Sequence, residues 1–327
     1  MLGWAILLAA SFLWPAATSA QTASPPLVLE AKIPLGDVSG RIDHLAIDLK
    51  RQRLLVAEFG NNSLGVVDLA AGKVLSRIPG LAEPQGVAYV PSSDGVFVAN
   101  AGDGSVRVLR GEDLAPIGHI ELGDDADNVR VDTAHKRVLV GYGKGALAVI
   151  DPVSLSKTAD IRLKAHPEGF QIDQTGTQVF ANVPDAREIG VVDLGTGSTQ
   201  SLPTQGAGSN FPMAIDGEVH RFLVVFRSPP SLMALSSQDG HVAAKIDTCG
   251  DADDVFVDRK RHRIYVSCGE GVVDVLESGA GYRRLARVST APGARTSLFV
   301  PELDRLFVAV RAVSSEPAAI WVFRPAS

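Results

Sequence analysis

The side chains able to do chemistry fall in a few short clusters. His44 follows Asp43, Asp127 precedes Asn128, His166 is followed by Pro167 and Glu168, and Asp251, Asp253 and Asp254 crowd one segment. The oxygens of Glu58, Asn128, Glu168, Asp253 and Asp254 are of the type that Ca²⁺ takes, roughly six to eight at a time, from carboxylates and amides. Brought to one point they would hold a divalent metal such as Ca²⁺, with His44 or His166 as base or nitrogen ligand. Plainer readings stand beside this one. Acidic side chains around a wet opening are often only solvated, His44 can be a rim residue bonded to Asp43, and His166 ahead of a proline can simply shape a loop. No nucleophile elbow, phosphate loop, haem-attachment pair or zinc spacing occurs, so hydrolysis by an activated Ser or Cys has no support.

These clusters are spread from position 44 to position 254, so only a scaffold that returns the chain repeatedly to one place could unite them. The sequence contains such a scaffold. His44, Gly86, Asn128, Gly169, Pro212, Asp254 and Ser297 each stand just before a short apolar strand, at successive spacings of 42, 42, 41, 43, 42 and 43 residues. Each unit then repeats one order: a polar turn, a strongly apolar second strand (54–59, 95–100, 138–142, 178–182, 222–226, 264–268, 306–310), a Gly- or Asn-rich turn, and a third strand. A more polar fourth strand follows. Four antiparallel strands in about 40 residues, with no room for a helix, match the blade of a β-propeller. The chain is therefore expected to be all-β, a seven-bladed β-propeller of four-stranded antiparallel blades. The last unit ends after its third strand, 319–323, and a stray strand at 27–33 precedes the first. That strand is expected to complete the last blade and close the ring, which would remove two open sheet edges.

Composition agrees with one large folded domain. The 327 residues are 46% hydrophobic and 21% charged, which excludes a disordered chain, and the net charge of −6 gives no attraction to nucleic acid or anionic membrane. An apolar run from Leu2 to Trp14, then Pro15 and Thr18-Ser19-Ala20, reads as a signal peptide over 1–20, leaving 21–327 as the propeller. No later run reaches the roughly 20 apolar residues of a membrane-spanning helix. A periplasmic or secreted monomer is expected. Export would place Cys249 and Cys268 where a disulfide persists. Cys249 ends the fourth strand of the fifth unit and Cys268 the second strand of the sixth, so the two are expected to pair.

Segments such as Leu54-Leu55-Val56-Ala57-Glu58-Phe59-Gly60-Asn61-Asn62-Ser63-Leu64-Gly65-Val66-Val67-Asp68 and Val96-Phe97-Val98-Ala99-Asn100-Ala101-Gly102-Asp103-Gly104-Ser105-Val106 resemble the YVTN repeat of bacterial surface and periplasmic β-propellers. The four-letter motif is replaced by variants such as Val98-Ala99-Asn100-Ala101 and Val266-Ser267-Cys268-Gly269. The resemblance implies fold far better than function, because related propellers include lactonases, lyases and binding proteins.

In such a ring the loops leading into first strands and those joining second to third strands share one face, here called the top, around the central channel. They carry Asp43, His44, Asp124, Asp125, Asp127, Asn128, His166, Glu168, Asp185, Asp251, Asp253, Asp254 and Glu270, so the top channel mouth is expected to be acidic. The turns between first and second strands carry Arg51, Arg53, Arg137 and the run Arg259-Lys260-Arg261-His262-Arg263, so the bottom face is expected to be basic. Three functions fit: a module binding a small molecule or an exported protein through the top face, a metal-dependent lactonase or lyase at the channel mouth, and an accessory subunit docking through the basic face.

Overall fold

The protein is described by a computed structural model covering residues 25–279, 281–314 and 316–326; the expected signal peptide, 1–20, lies outside them. The strands form seven four-stranded antiparallel sheets. Six use consecutive strands: blade 1 (45–79), blade 2 (84–121), blade 3 (126–162), blade 4 (170–203), blade 5 (208–247) and blade 6 (252–289). Blade 7 takes three strands from 297–325 and its outermost from Leu27–Gly36, which pairs antiparallel with Ala318–Pro325, Ile33 facing Ile320. The ring is sealed as the sequence predicts.

Side-chain periodicity explains the packing. The second strands, such as Arg53–Glu58 and Gly95–Asn100, are buried on both faces because every blade is sandwiched between two others. The fourth strands, such as Lys73–Pro79 and Ser156–Arg162, lie at the rim, largely open to water, and are polar. Seven apolar clusters fill the seven gaps between neighbouring blades. The gap between blades 7 and 1 holds Ile33, Leu35, Leu54, Phe307 and Ile320, so the sealing strand contributes to the core as well as to the sheet.

The first strands line the channel, and four of them begin earlier than the repeat suggests. In blades 2, 3, 5 and 6 they start at Pro84, Ala126, Gly208 and Ala252, and each carries a register shift just after its start. Such a bulge sets two residues against one and re-aims side chains. Asp127 and Asn128 sit in the bulge of blade 3 and Asp253 in that of blade 6, at the stretches of chain that line the channel.

On the bottom face, arginines staple adjacent blades. Arg51 binds Asp48 at 2.8 Å in its own turn and Asp94 of blade 2 at 2.7 Å. Arg261 repeats this with Asp258 at 3.1 Å and Asp304 of blade 7 at 2.6 Å. Arg137 binds Asp132 and donates to the Gly176 carbonyl of blade 4. Much of the basic character predicted for this face is thus spent between blades. Among the described residues no helix is long and apolar enough to cross a membrane.

Candidate functional site

At the top of the channel all seven blades contribute to one cavity of about 260 Å³. Blade 1 supplies Asp43 and His44, preceded by Arg41; blade 2 gives Gln85, blade 3 Asp127, preceded by Asp125, and the approach to blade 4 brings His166 and Glu168. Blade 5 adds Phe211 and Arg227, blade 6 Asp253, and the loop into blade 7 brings Arg295. Below it a narrower space of about 40 Å³ is lined by His44, Asn128, Arg130, Glu168 and Asp254. The two share His44, Glu168, Phe211 and Asp253, so they are successive stretches of one axial channel.

Close packing of the inner strands fixes the positions of these side chains. A Cβ on Gly86 would lie 2.0 Å from the Asp127 carbonyl oxygen, and one on Gly169 would lie 2.4 Å from that of Phe211. Only glycine lets the neighbouring inner strand come so near. Gly169 also donates its backbone N–H to Phe211, at 3.1 Å.

The site is divided by charge. On the side of blades 3 and 4, His166 Nδ1 lies 2.7 Å from the Gly143 carbonyl, so that nitrogen carries the proton, and Nε2 faces Asp127 Oδ2 at 3.8 Å. At that distance the ring and the carboxylate attract without a hydrogen bond. Asp127, His166 and Glu168 each bring one ligand-capable atom within 4.8 Å of the others. Burial opposes charge on His166, but Asp127, the Gly143 carbonyl and Asp125 outweigh it and raise the imidazole pKa. Burial first, then the charge of Asp127, pushes Glu168 well above the usual carboxylate range. His44 stands 3.8 Å from Asp43 and 3.9 Å from Asp254; burial disfavours its cation, yet these carboxylates raise its pKa overall. Burial pushes Asp254 up to about 7, against the opposing pull of His44, although its Oδ2 accepts the Ser297 N–H at 2.7 Å.

On the side of blades 5, 6 and 7, arginines prevail. Arg227 binds Asp253 and stacks 3.8 Å above the Phe211 ring, and Arg295 holds Asp251 at 2.8 Å and Asp253 at 3.0 Å. Arg41 binds Asp43 at 2.5 Å and Gln85 at 2.9 Å. Arg311, half-buried just past the second strand of blade 7, has no carboxylate or carbonyl partner among the described residues. Burial, then the charges of Arg295 and Arg41, lowers its pKa. The mouth is therefore bipolar, where composition of the loops alone suggested an acidic one.

Of the residues singled out from sequence, His44, Asn128, His166, Glu168, Asp253 and Asp254 do meet along the channel. Glu58 does not join them. It is fully buried inside blade 1, where Ser63 Oγ donates to it at 2.6 Å and Arg77 at 2.6 and 3.0 Å, and Arg77 also reaches the Leu35 carbonyl of the sealing strand. Asp253 is neutralised by two arginines. Of the Ca²⁺ donor set drawn from sequence, Glu58 alone lies elsewhere; Asn128, Glu168, Asp253 and Asp254 share the narrow stretch, and Asp127 and His166 stand beside Glu168 above it. Sequence reasoning missed Arg41, Arg227, Arg295 and Arg311. A signal was present: Arg227 and Arg311 both directly follow the apolar second-strand segments 222–226 and 306–310. Cys249 and Cys268 form the expected disulfide, both sulfurs buried, and it anchors the loop carrying Asp251.

No family model matches the chain, and no curated protein sequence does. Solved structures do. One titled as hydrazine synthase of Kuenenia stuttgartiensis aligns over 96% of this chain and 99% of its own, with a TM-score of 0.75 at 18% identity. A chain from a crystal structure of the mitotic checkpoint complex aligns over 97% of this chain and 98% of its own, with a TM-score of 0.78 at 12% identity. At such identities the likeness shows the seven-bladed fold and nothing of activity.

Proposed function

We propose that this propeller is a binding module that takes a small anionic molecule, bearing carboxylate or phosphate groups, at the top mouth of its channel. The observation that carries the reading is the bipolar cavity of about 260 Å³, with Arg41, Arg227 and Arg295 along one wall. Arg311, outside that lining, adds positive charge close enough to be felt together with Arg295 and Arg41. A guanidinium held there has five N–H donors in a planar fork suited to carboxylate or phosphate oxygens. A catalytic reading as lactonase or lyase would ask His44 or His166 to act as base. Neighbouring carboxylates hold both rings toward the protonated form, which suits charge recognition better than proton abstraction. Docking of a partner through the bottom face is less favoured, because Arg51, Arg137 and Arg261 are engaged between blades. The YVTN-like repeat variants and the apolar run at the start of the chain support a periplasmic or secreted setting.

Thermal melting in citrate and in inorganic phosphate, using sodium chloride of matched ionic strength as the reference, tests this. A ligand at a hundred times its Kd stabilises by about 2.7 kcal/mol, a readily measured shift. Stabilisation by either anion that falls at least tenfold in apparent affinity in Arg295→Gln, which removes a guanidinium of the cavity wall, is expected. No stabilisation by either, or an undiminished effect in that variant, would overturn the proposal.

A further inference from the structure

We infer that Asp127, His166 and Glu168 form a binding site for one divalent transition-metal ion, of which Zn²⁺ is the reference case. The inference shares its cavity with the anion-binding reading and does not depend on it. His166 gives the strongest geometric argument. Its Nδ1–H donates to the Gly143 carbonyl at 2.7 Å, so the nitrogen that faces Asp127 is Nε2, whose proton a metal ion displaces on binding. A metal-binding histidine is ordinarily held in this way, its second nitrogen tied to a carbonyl or carboxylate that fixes tautomer and ring direction.

The carboxylates supply the second argument. Asp127 is almost wholly buried, yet its Oδ1 has no hydrogen-bond partner in the protein, and the Oδ1 of its buried neighbour Asn128 has none either. Asp127 lines the upper cavity and Asn128 the narrow stretch below, with Glu168 lining both. Buried oxygens left without partners carry an uncompensated desolvation cost, which a cation in their midst would remove. Asp253 and Glu58, by contrast, are already satisfied by arginines and offer a metal little.

The donor set selects the ion. One imidazole nitrogen with two carboxylates suits Zn²⁺ or Mn²⁺, whereas Ca²⁺ prefers oxygen alone and more of it. Donors about 2.1 Å from a tetrahedral ion lie about 3.4 Å apart; His166 Nε2 and Asp127 Oδ2 stand 3.8 Å apart and all three ligand atoms lie within 4.8 Å, so the set must close by at most about 1.4 Å. Rotation of the Glu168 side chain provides that, since Asp127 and the His166 ring are held by burial and by Gly143. Three protein ligands would leave the ion an open position toward the upper cavity.

Calorimetric titration of tag-free, EDTA-treated protein with Zn²⁺, Mn²⁺ and Ca²⁺, in a buffer without carboxylate or phosphate, tests the site. One Zn²⁺ per chain is expected, bound more tightly than Mn²⁺ and much more tightly than Ca²⁺. His166→Gln and Glu168→Gln should each weaken it at least tenfold, with circular dichroism showing that both variants fold. His119→Gln, which removes the exposed pair of His119 and Glu121, should change nothing. Absence of Zn²⁺ binding, binding undiminished in both site variants, or binding lost in His119→Gln would overturn the inference. Citrate stabilisation of the EDTA-treated protein without Zn²⁺ binding would overturn this inference alone. Zn²⁺ binding with no response to citrate or phosphate would support it and remove only the anion-binding reading.

Discussion

Asp254 shows how the channel strains its own charges. Its carboxyl titrates near 7 because burial disfavours the anion more than His44 favours it. In the unfolded chain the same group titrates near 3.9. Between those values the folded state holds a proton that the unfolded state does not, so this group makes stability fall as pH rises from about 4 to about 7. Asp254→Asn keeps a carbonyl oxygen to accept the Ser297 N–H and removes the charge. The variant should be more stable than the parent by about 1–3 kcal/mol at pH 8 and nearly equal at pH 4, as read by urea melts at both values. A gain of the same size at pH 4 would contradict the assignment. Such cost at a channel residue is what a binding site tolerates and a purely structural core does not.

At the scale of elements, the disulfide ties the segment after the fourth strand of blade 5 to the second strand of blade 6 and encloses Asp251 and Asp253. Those two carboxylates hold Arg227 and Arg295, so the cross-link orders the arginine wall of the cavity as well as the chain. Replacing both cysteines by Ala should cost about 3 kcal/mol by the loop-entropy argument and weaken citrate binding, both measurable on the folded variant. Loss of stability with unchanged binding would separate the two roles. The elements were also where sequence reading was most and least successful. Second strands such as 222–226 announced themselves through unbroken apolar runs, because burial on both faces demands them. The fourth strand of blade 4, Thr199–Pro203, and the third of blade 5, Pro230–Ser236, carry no such mark: the first is a polar rim strand, and the second opens on prolines. The bulges were invisible too, since an extra residue in a first strand leaves the 42-residue rhythm intact. The carboxylates of the site could be named from their loops. Their pairing with arginines could not, because Arg227 and Arg295 reach Asp251 and Asp253 from the neighbouring blades on either side, and loop composition does not set those side-chain directions.

For the whole molecule, the closing strand decides whether the ring is one body. Leu27–Gly36 covers the edge of Ala318–Pro325 and places Ile33 and Leu35 in the core between blades 7 and 1. Arg77, held by buried Glu58, reaches the Leu35 carbonyl and pins the strand from the side of blade 1. Deleting 25–36 should lower Tm by more than about 10 °C, since two large core side chains and a full ladder of backbone hydrogen bonds are lost together. It should also produce concentration-dependent association through the uncovered edge, visible by light scattering. A monomer melting like the parent would show that six and three-quarter blades suffice.

The same seam has a consequence in time. The strand at 27–36 is among the first parts of this domain to be synthesised, and its partner at 318–325 is among the last. Until that partner arrives, every growing intermediate is an open arc with an exposed edge at each end. A chain that stops short offers its first strand nothing to bind, and the arc stays recognisable to proteases and chaperones. A chain stopped before 318 is therefore expected to be cleared faster than the closed ring, because 27–36 then has no strand to pair with.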